Sequence, residues 1–319
     1  MGGYMARFSI ADAATAGFGI IARKPLAVLA WGLAMFVATA APMYLLLWFM
    51  RPDFALLMQM GAQDSAANDP ALIGRFMRMQ SGMMLFQLLF WMWSTAVKAV
   101  ICSAVFRAVL EPRDSRFGYL RLGAREGWLT LLFLVEYVLA YIAFFVVALL
   151  GMVLVAIVGV GAGGDSVGAM VGTGFVVGLL VLVLALWLAL KLSMAAPMTF
   201  ADRQFRLFES WSFTKGHVGK LLGVALLLFV FLIGIEVLFA GAVIGGIFTL
   251  GGQMSWLFEP GAVQALLREP PMEIVRKLGP AIGVAGVLWV VFSTVVVTVF
   301  CAPWAASYRA LREQDLAQA

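Results

Sequence analysis

Along most of this chain the apolar residues neither keep to one face of a helix nor alternate along a strand; they run on without a polar break. Six such runs, at about 26–50, 83–109, 128–158, 171–199, 219–247 and 280–306, each exceed the roughly 20 residues a helix needs to cross about 30 Å of hydrocarbon. A helix in a soluble core keeps a polar face, and these runs have none. The pattern predicts an all-α integral membrane protein: one polytopic domain over residues 1–319, with six transmembrane helices paired as three hairpins.

Between the runs the period changes. Phe8, Ala11, Thr15, Phe18 and Ala22 recur at helical spacing before the first run, Phe117, Leu120, Ala124 and Trp128 before the third, and Phe205, Phe208 and Ser212 begin the same pattern before the fifth. These segments predict amphipathic helices lying on the membrane, with aromatic rings in the acyl boundary and arginines among the headgroups. A unit of surface helix, span out, connection and span back then occurs three times. Within the returning spans Lys191 stands six residues before Pro197, Val297 six before Pro303, and Lys98 six before Ala104. The connections on the opposite side have room for short interfacial helices at 70–79 and 260–269. The glycine-rich link GVGAGGDSVGAMVGTG reads as a flexible turn or a tight helix crossing.

Composition agrees with the pattern: 63% of the residues are hydrophobic and 12% charged. The distribution of charge sets orientation. Arg7, Arg23, Lys24, Arg107, Arg113, Arg116, Arg121, Arg125, Arg203, Arg206, Lys215, Lys220, Arg309 and Arg312 fall on one side, against Arg51, Arg75, Arg78, Arg268, Arg276 and Lys277 on the other. Fourteen against six places both termini in the cytoplasm. The basic pI of about 9.4 then reflects topology and anionic lipid, and nucleic acid is not expected as a partner. Arg23 and Lys24 before an apolar run ending in Ala38-Thr39-Ala40 resemble a cleavable leader, but Met43 to Met50 resumes the run at once, which favours an uncleaved span.

Candidate chemistry is sparse. Cys102 and Cys301 fall inside spans and read as small apolar residues, so neither a disulfide framework nor a metal site is expected. Gly159, Gly161 and Gly164 spell GxGxxG without the strand, helix and acidic residue a nucleotide site requires. Gly168/Gly172, Gly174/Gly178, Gly241/Gly245 and Gly279/Gly283 match GxxxG and predict close helix packing. Met58, Met60, Met77, Met79, Met83 and Met84 could offer soft thioethers to Cu(I), but ordinary packing is the simpler reading without nearby Cys or His. The one histidine, His217, stands at the cytoplasmic boundary. No nucleophile with a base is evident, so no catalytic residue, enzyme activity or cofactor is expected.

What remains is charge inside the spans: Lys98, Glu136, Lys191 and Glu236. At 1.5 Å per residue, Lys98, Lys191 and Glu136 lie about 12–13 Å inside the boundary and Glu236 about 24 Å. An unpaired charge at such depth costs at least about 2.5 kcal/mol. Three arrangements answer that cost: lysines that snorkel to the headgroups, a buried ion pair of Lys98 or Lys191 with Glu136, or a cationic cavity for a lipid phosphate or another anion.

Pro197, followed by Phe208-Glu209-Ser210-Trp211-Ser212-Phe213-Thr214-Lys215-Gly216 leading into Gly223, resembles the connector of the glycerophosphodiester phosphodiesterase membrane-domain family and related six-span bacterial membrane proteins. The resemblance rests on Pro197, Ser210, Trp211, Lys215 and Gly216 within about thirty residues, while the six-span plan covers the chain. It implies a bacterial inner membrane and lipid-related work. This chain has no soluble phosphodiesterase domain, so the enzymatic half of that family does not carry over. The expectation is a non-enzymatic scaffold or lipid-interacting component whose partners are anionic lipid headgroups. A helix–helix oligomer or another membrane partner is left open, as is the alternative of a transporter or transporter subunit with a cytoplasm-facing cationic cavity.

Overall fold

A computed structural model describes residues 8–61, 70–161, 167–251, 255, 259, 261–262, 265–266, 269 and 271–318. Among these the protein is helical and has no strand: α1 Ile10–Arg23, α2 Pro25–Gly61, α3 Pro70–Leu110, α4 Ala124–Gly161, α5 Val167–Leu192, α6 Ala195–Asp202, α7 Glu209–Phe213, α8 Val218–Gly251 and α9 Pro271–Gln318. Six segments are long and apolar enough to cross a membrane, Pro25–Leu46, Gly74–Leu110, Arg116–Gly161, Gly168–Asp202, Val218–Thr249 and Arg276–Ala317. Each overlaps one of the six apolar runs, an arrangement compatible with a multi-pass membrane protein.

Local chemistry sets the helix ends. The Ser9 hydroxyl accepts the Asp12 N–H at 3.2 Å and caps α1. Proline opens α2, α3 and α9, where its missing N–H costs nothing. Pro25 also pushes Lys24 out of the helical region, to φ −138°, which divides α1 from α2. Arg203 ends α6 in the left-handed conformation, φ 57°.

The centre of the bundle is α9, which packs on α1, α2, α3 and α8; α4 joins through α3 and α6, and α5 through α4, α7 and α8. Successive long helices, α2 with α3, α4 with α5 and α8 with α9, pack on each other. Two glycines let helices meet backbone to backbone. A Cβ built at Gly17 of α1 would lie 2.6 Å from the Val299 Cα of α9, and one at Gly32 of α2 would fall 1.7 Å from the Thr294 hydroxyl. Close approach in this fold therefore runs through α9.

Several sequence expectations change here. None of the GxxxG glycines, Gly168, Gly172, Gly174, Gly178, Gly241, Gly245, Gly279 or Gly283, has an atom within 4 Å of a Cβ built on it, so these motifs are not packing faces within the chain. They fall on the outward flanks of α5, α8 and α9, where apolar sequence repeats without meeting a partner. In α1 the buried face is Ala13, Ala14, Gly17 and Ile20, while Ala11, Thr15, Phe18 and Ala22 are exposed. Within the stripe read from Phe8 to Ala22, Phe8 is half-buried and Phe18 meets Phe231 edge to face at 5.2 Å, while the small residues on the other face permit tight packing. Before α4 there is no continuous helix from Phe117 to Trp128: a tight turn at Arg116–Tyr119 comes first, and α4 begins at Ala124. Before α8 the segment from Phe205 to Ser212 is broken into irregular backbone and the short α7. Residues 70–79 continue into α3. Half of the 260–269 segment lies outside the described residues, as do the side chains of Met58 and Met60; Met77, Met83 and Met84 are exposed on α3.

Candidate functional site

The buried charged side chains, Arg107, Glu126 and Lys191, lie toward the end of the bundle that carries most of the arginines, in two assemblies. The first holds the turn between α3 and α4. Arg107, near the end of α3, and Glu126, in the first turn of α4, pair at 2.5 Å with side chains 3% and 5% exposed. Glu126 also suits the positive end of α4. Arg107 Nη1 donates to the Tyr119 carbonyl, and its guanidinium faces the Phe200 ring 5.4 Å from the centroid. Arg125 faces the same ring at 4.9 Å and donates to both Glu111 oxygens, at 2.9 and 3.0 Å.

Within that turn Phe117, Gly118 and Tyr119 have φ of 51°, 61° and 69°. Left-handed conformation at non-glycine residues costs of order 1–3 kcal/mol each, and persists only where the surroundings over-determine it. Here they do. Trp31 Nε1 donates to the Gly118 carbonyl at 2.6 Å, Tyr119 Oη donates to the Pro112 carbonyl at 3.0 Å, and Lys24 donates to Tyr119 Oη. Trp31 and Tyr119 are each 1% exposed. At the rim, Arg121 pairs with Asp114 and holds that carboxylate below its ordinary range.

The second assembly is the connector after α5. α5 stops at Leu192, and the Lys191 carbonyl left over there is capped from a distance: Ser210 Oγ donates to it at 2.7 Å and Thr214 Oγ1 at 3.5 Å. Both hydroxyl residues are fully buried. Pro197 is buried in the first turns of α6, Gly216 turns the chain at φ 86°, and Lys215 is exposed. Trp211 meets Trp187 edge to face at 4.9 Å, and the Lys191 ammonium lies 5.6 Å from the Trp211 ring centroid. The residues behind the family resemblance therefore have a physical job here, which is to end one long helix and dock the next segment against it.

The four intramembrane charges do not share a site. Lys98 is exposed on the flank of α3 and Glu236 on α8. Lys191 is 8% exposed, and Glu136 is half-buried on α4 within electrostatic reach of Cys102, which sits against Cys301. Among the described residues no ion pair joins Lys98 or Lys191 to Glu136; the buried pair is Arg107 with Glu126. Both cysteines are free and buried, and no group of three His, Cys, Asp or Glu is arranged to hold a metal among the described residues. His217 is half-buried, with Nδ1 lacking a hydrogen-bond partner.

Sequence reasoning missed Arg107 and Glu126 because Arg107 counted as one boundary arginine among many. The available signal was their placement at the facing ends of two successive apolar runs, with an aromatic-rich turn between them. Comparison with protein-family models, with curated proteins and with solved structures finds no match.

Proposed function

We propose that this chain is a non-enzymatic, multi-pass protein of a bacterial inner membrane, with both termini in the cytoplasm, whose arginine-rich end binds anionic lipid headgroups. In this reading the six spans form three hairpins, each entered through a segment at the membrane surface. The observation that carries it is Lys191: a lysine 8% exposed, its ammonium set against Trp211, with no carboxylate in ion-pair reach among the described residues. A cation so placed lacks a protein counter-ion, and a lipid phosphate supplies one. The dispersal of Lys98, Glu136 and Lys191 supports this reading over a solute path, which requires them around one cavity.

The test is lipid retention by the full chain, followed by native mass spectrometry after exchange into phosphatidylglycerol or phosphatidylcholine. Lys191→Met keeps the apolar stem and removes the charge. The expected result is about tenfold weaker retention of phosphatidylglycerol, the scale of one charge-assisted hydrogen bond, with phosphatidylcholine unchanged. Equal retention by the variant would refute the assignment.

A further inference from the structure

Phe117 and Leu122 are 87% and 86% exposed, although the turn between them is one of the most heavily braced pieces of backbone in the protein. The bracing fixes where they point in depth. Gly118 rests on α2: its carbonyl takes the Trp31 indole N–H, and a Cβ built on it would lie 3.7 Å from Ala27. Ala27 and Trp31 are two and six residues into α2, so the turn sits about 3–9 Å along the first span, counted from its start, at 1.5 Å per residue. With α2 as the first span, the reading proposed above on which this inference rests, that is the level of the boundary between headgroups and acyl chains. Leu26, also at the start of α2, is 81% exposed. Arg113 and Arg116 stand at the turn, are exposed, and enter none of the ion pairs among the described residues, whereas Asp114 is taken by Arg121 and Glu111 by Arg125.

We propose that the 116–122 turn is a membrane wedge: Phe117 and Leu122 insert into the acyl boundary of the cytoplasmic leaflet, and Arg113 and Arg116 bind the anionic phosphates above them. The left-handed backbone at 117–119 is what this placement requires. A helix continuing out of α3 would carry Phe117 away from the bilayer; three left-handed residues fold the chain back onto α2 instead. Aromatic and aliphatic tips under a ring of arginine are the composition of a membrane-interface anchor. The occupant is the bilayer itself, because the tips lie level with a transmembrane helix and the uncompensated charge around them is positive. The inference goes beyond Lys191, which belongs to α5 and plays no part in the turn.

A nitroxide reports it directly. Phe117→Cys in a Cys102→Ala/Cys301→Ala background of the full chain is spin-labelled and reconstituted into phosphatidylglycerol–phosphatidylcholine bilayers. Collision with oxygen is then compared with collision with a water-soluble nickel chelate. The expected reading is oxygen-dominated, at a depth of about 5–10 Å below the phosphates, while Asp315→Cys at the end of α9 reads as water. Leu122→Cys gives the same reading should Phe117→Cys fail to fold. Nickel accessibility at both positions equal to that of Asp315→Cys overturns the wedge, and that result also leaves the turn to a soluble partner. The depth of the label at Phe117→Cys increases with phosphatidylglycerol content, and the increase is lost when Arg113→Gln/Arg116→Gln is added. A depth indifferent to phosphatidylglycerol overturns the anionic leaflet as the occupant.

Discussion

At the arginine-rich end of the bundle, Arg107, Glu126, Thr199, Ser210 and Thr214 are buried among Trp31, Phe106 and Phe200. In the opposite half, α4 and α5 turn Phe144, Phe145, Leu149, Leu179 and Leu182 outward, and between them lies an apolar groove of about 230 Å³ bordered by Val147, Gly151, Val177 and Leu184. The most apolar stretch of α4 has none of its residues buried inside the protein, against 39% for that of α3. Apolarity alone therefore does not mark a place in the core of this chain. Small and hydroxyl side chains mark the core: Thr95 and Ser103 on α3, and Ser293, Thr294, Thr298 and Ser307 on α9, are all buried. Lipid is as apolar as leucine, so helices in a bilayer gain from close contact and hydrogen bonding between small residues rather than from hiding hydrocarbon.

The strongest challenge to this contrast is to remove one partner of the buried ion pair. Arg107→Met or Glu126→Met leaves an uncompensated charge and is expected to cost about 3–5 kcal/mol, read as unfolding free energy in mixed micelles. The double exchange Arg107→Met/Glu126→Met should recover most of that loss. A single exchange within about 0.5 kcal/mol of the parent would mean that the arginine-rich end is no more tightly built than the rest.

A matched pair of glycine exchanges sharpens the contrast. Gly17→Leu forces a side chain into the α9 backbone and is expected to cost about 1–3 kcal/mol or more. Gly172→Leu projects into open space on α5 and should stay within about ±0.5 kcal/mol. Comparable losses at the two sites in the same unfolding assay would place a partner helix or a second copy against α5.

The smallest effect concerns the rim. The hydrogen bond from Arg121 depresses the Asp114 carboxylate below 3.8, so its contribution is present above that pH and fades as the pH falls through the folded-state value. The melting-temperature difference between the parent and Asp114→Asn should be flat from pH 7 down to about 3.8 and shrink in more acid solution. A difference that grew in acid would contradict the depressed value.

The six spans were legible because an unbroken apolar run has one physical use at that length. The glycine pairs misled, since GxxxG is a periodic statement and packing is a question of what lies opposite; Gly17 and Gly32 have no such motif and yet touch α9. Among the site residues, the connector was visible as a string, but the use of Ser210 and Thr214 as remote caps for α5 depends on a contact across 19 and 23 residues that no local period encodes. Lys191 was found by its depth, and its neighbour Trp211 by the resemblance; that they face each other is tertiary information.

The charges of the buried pair stand only 19 residues apart, on successive helices. A nascent chain thus carries this buried cation and the anion that neutralises it in the same short stretch, before the downstream helices have been synthesised. Arg107 need not wait for a counter-charge from a later helix. The ends of α3 and α4 can pair as one neutralised unit, and Phe200 and the closing helix arrive afterwards to seal it.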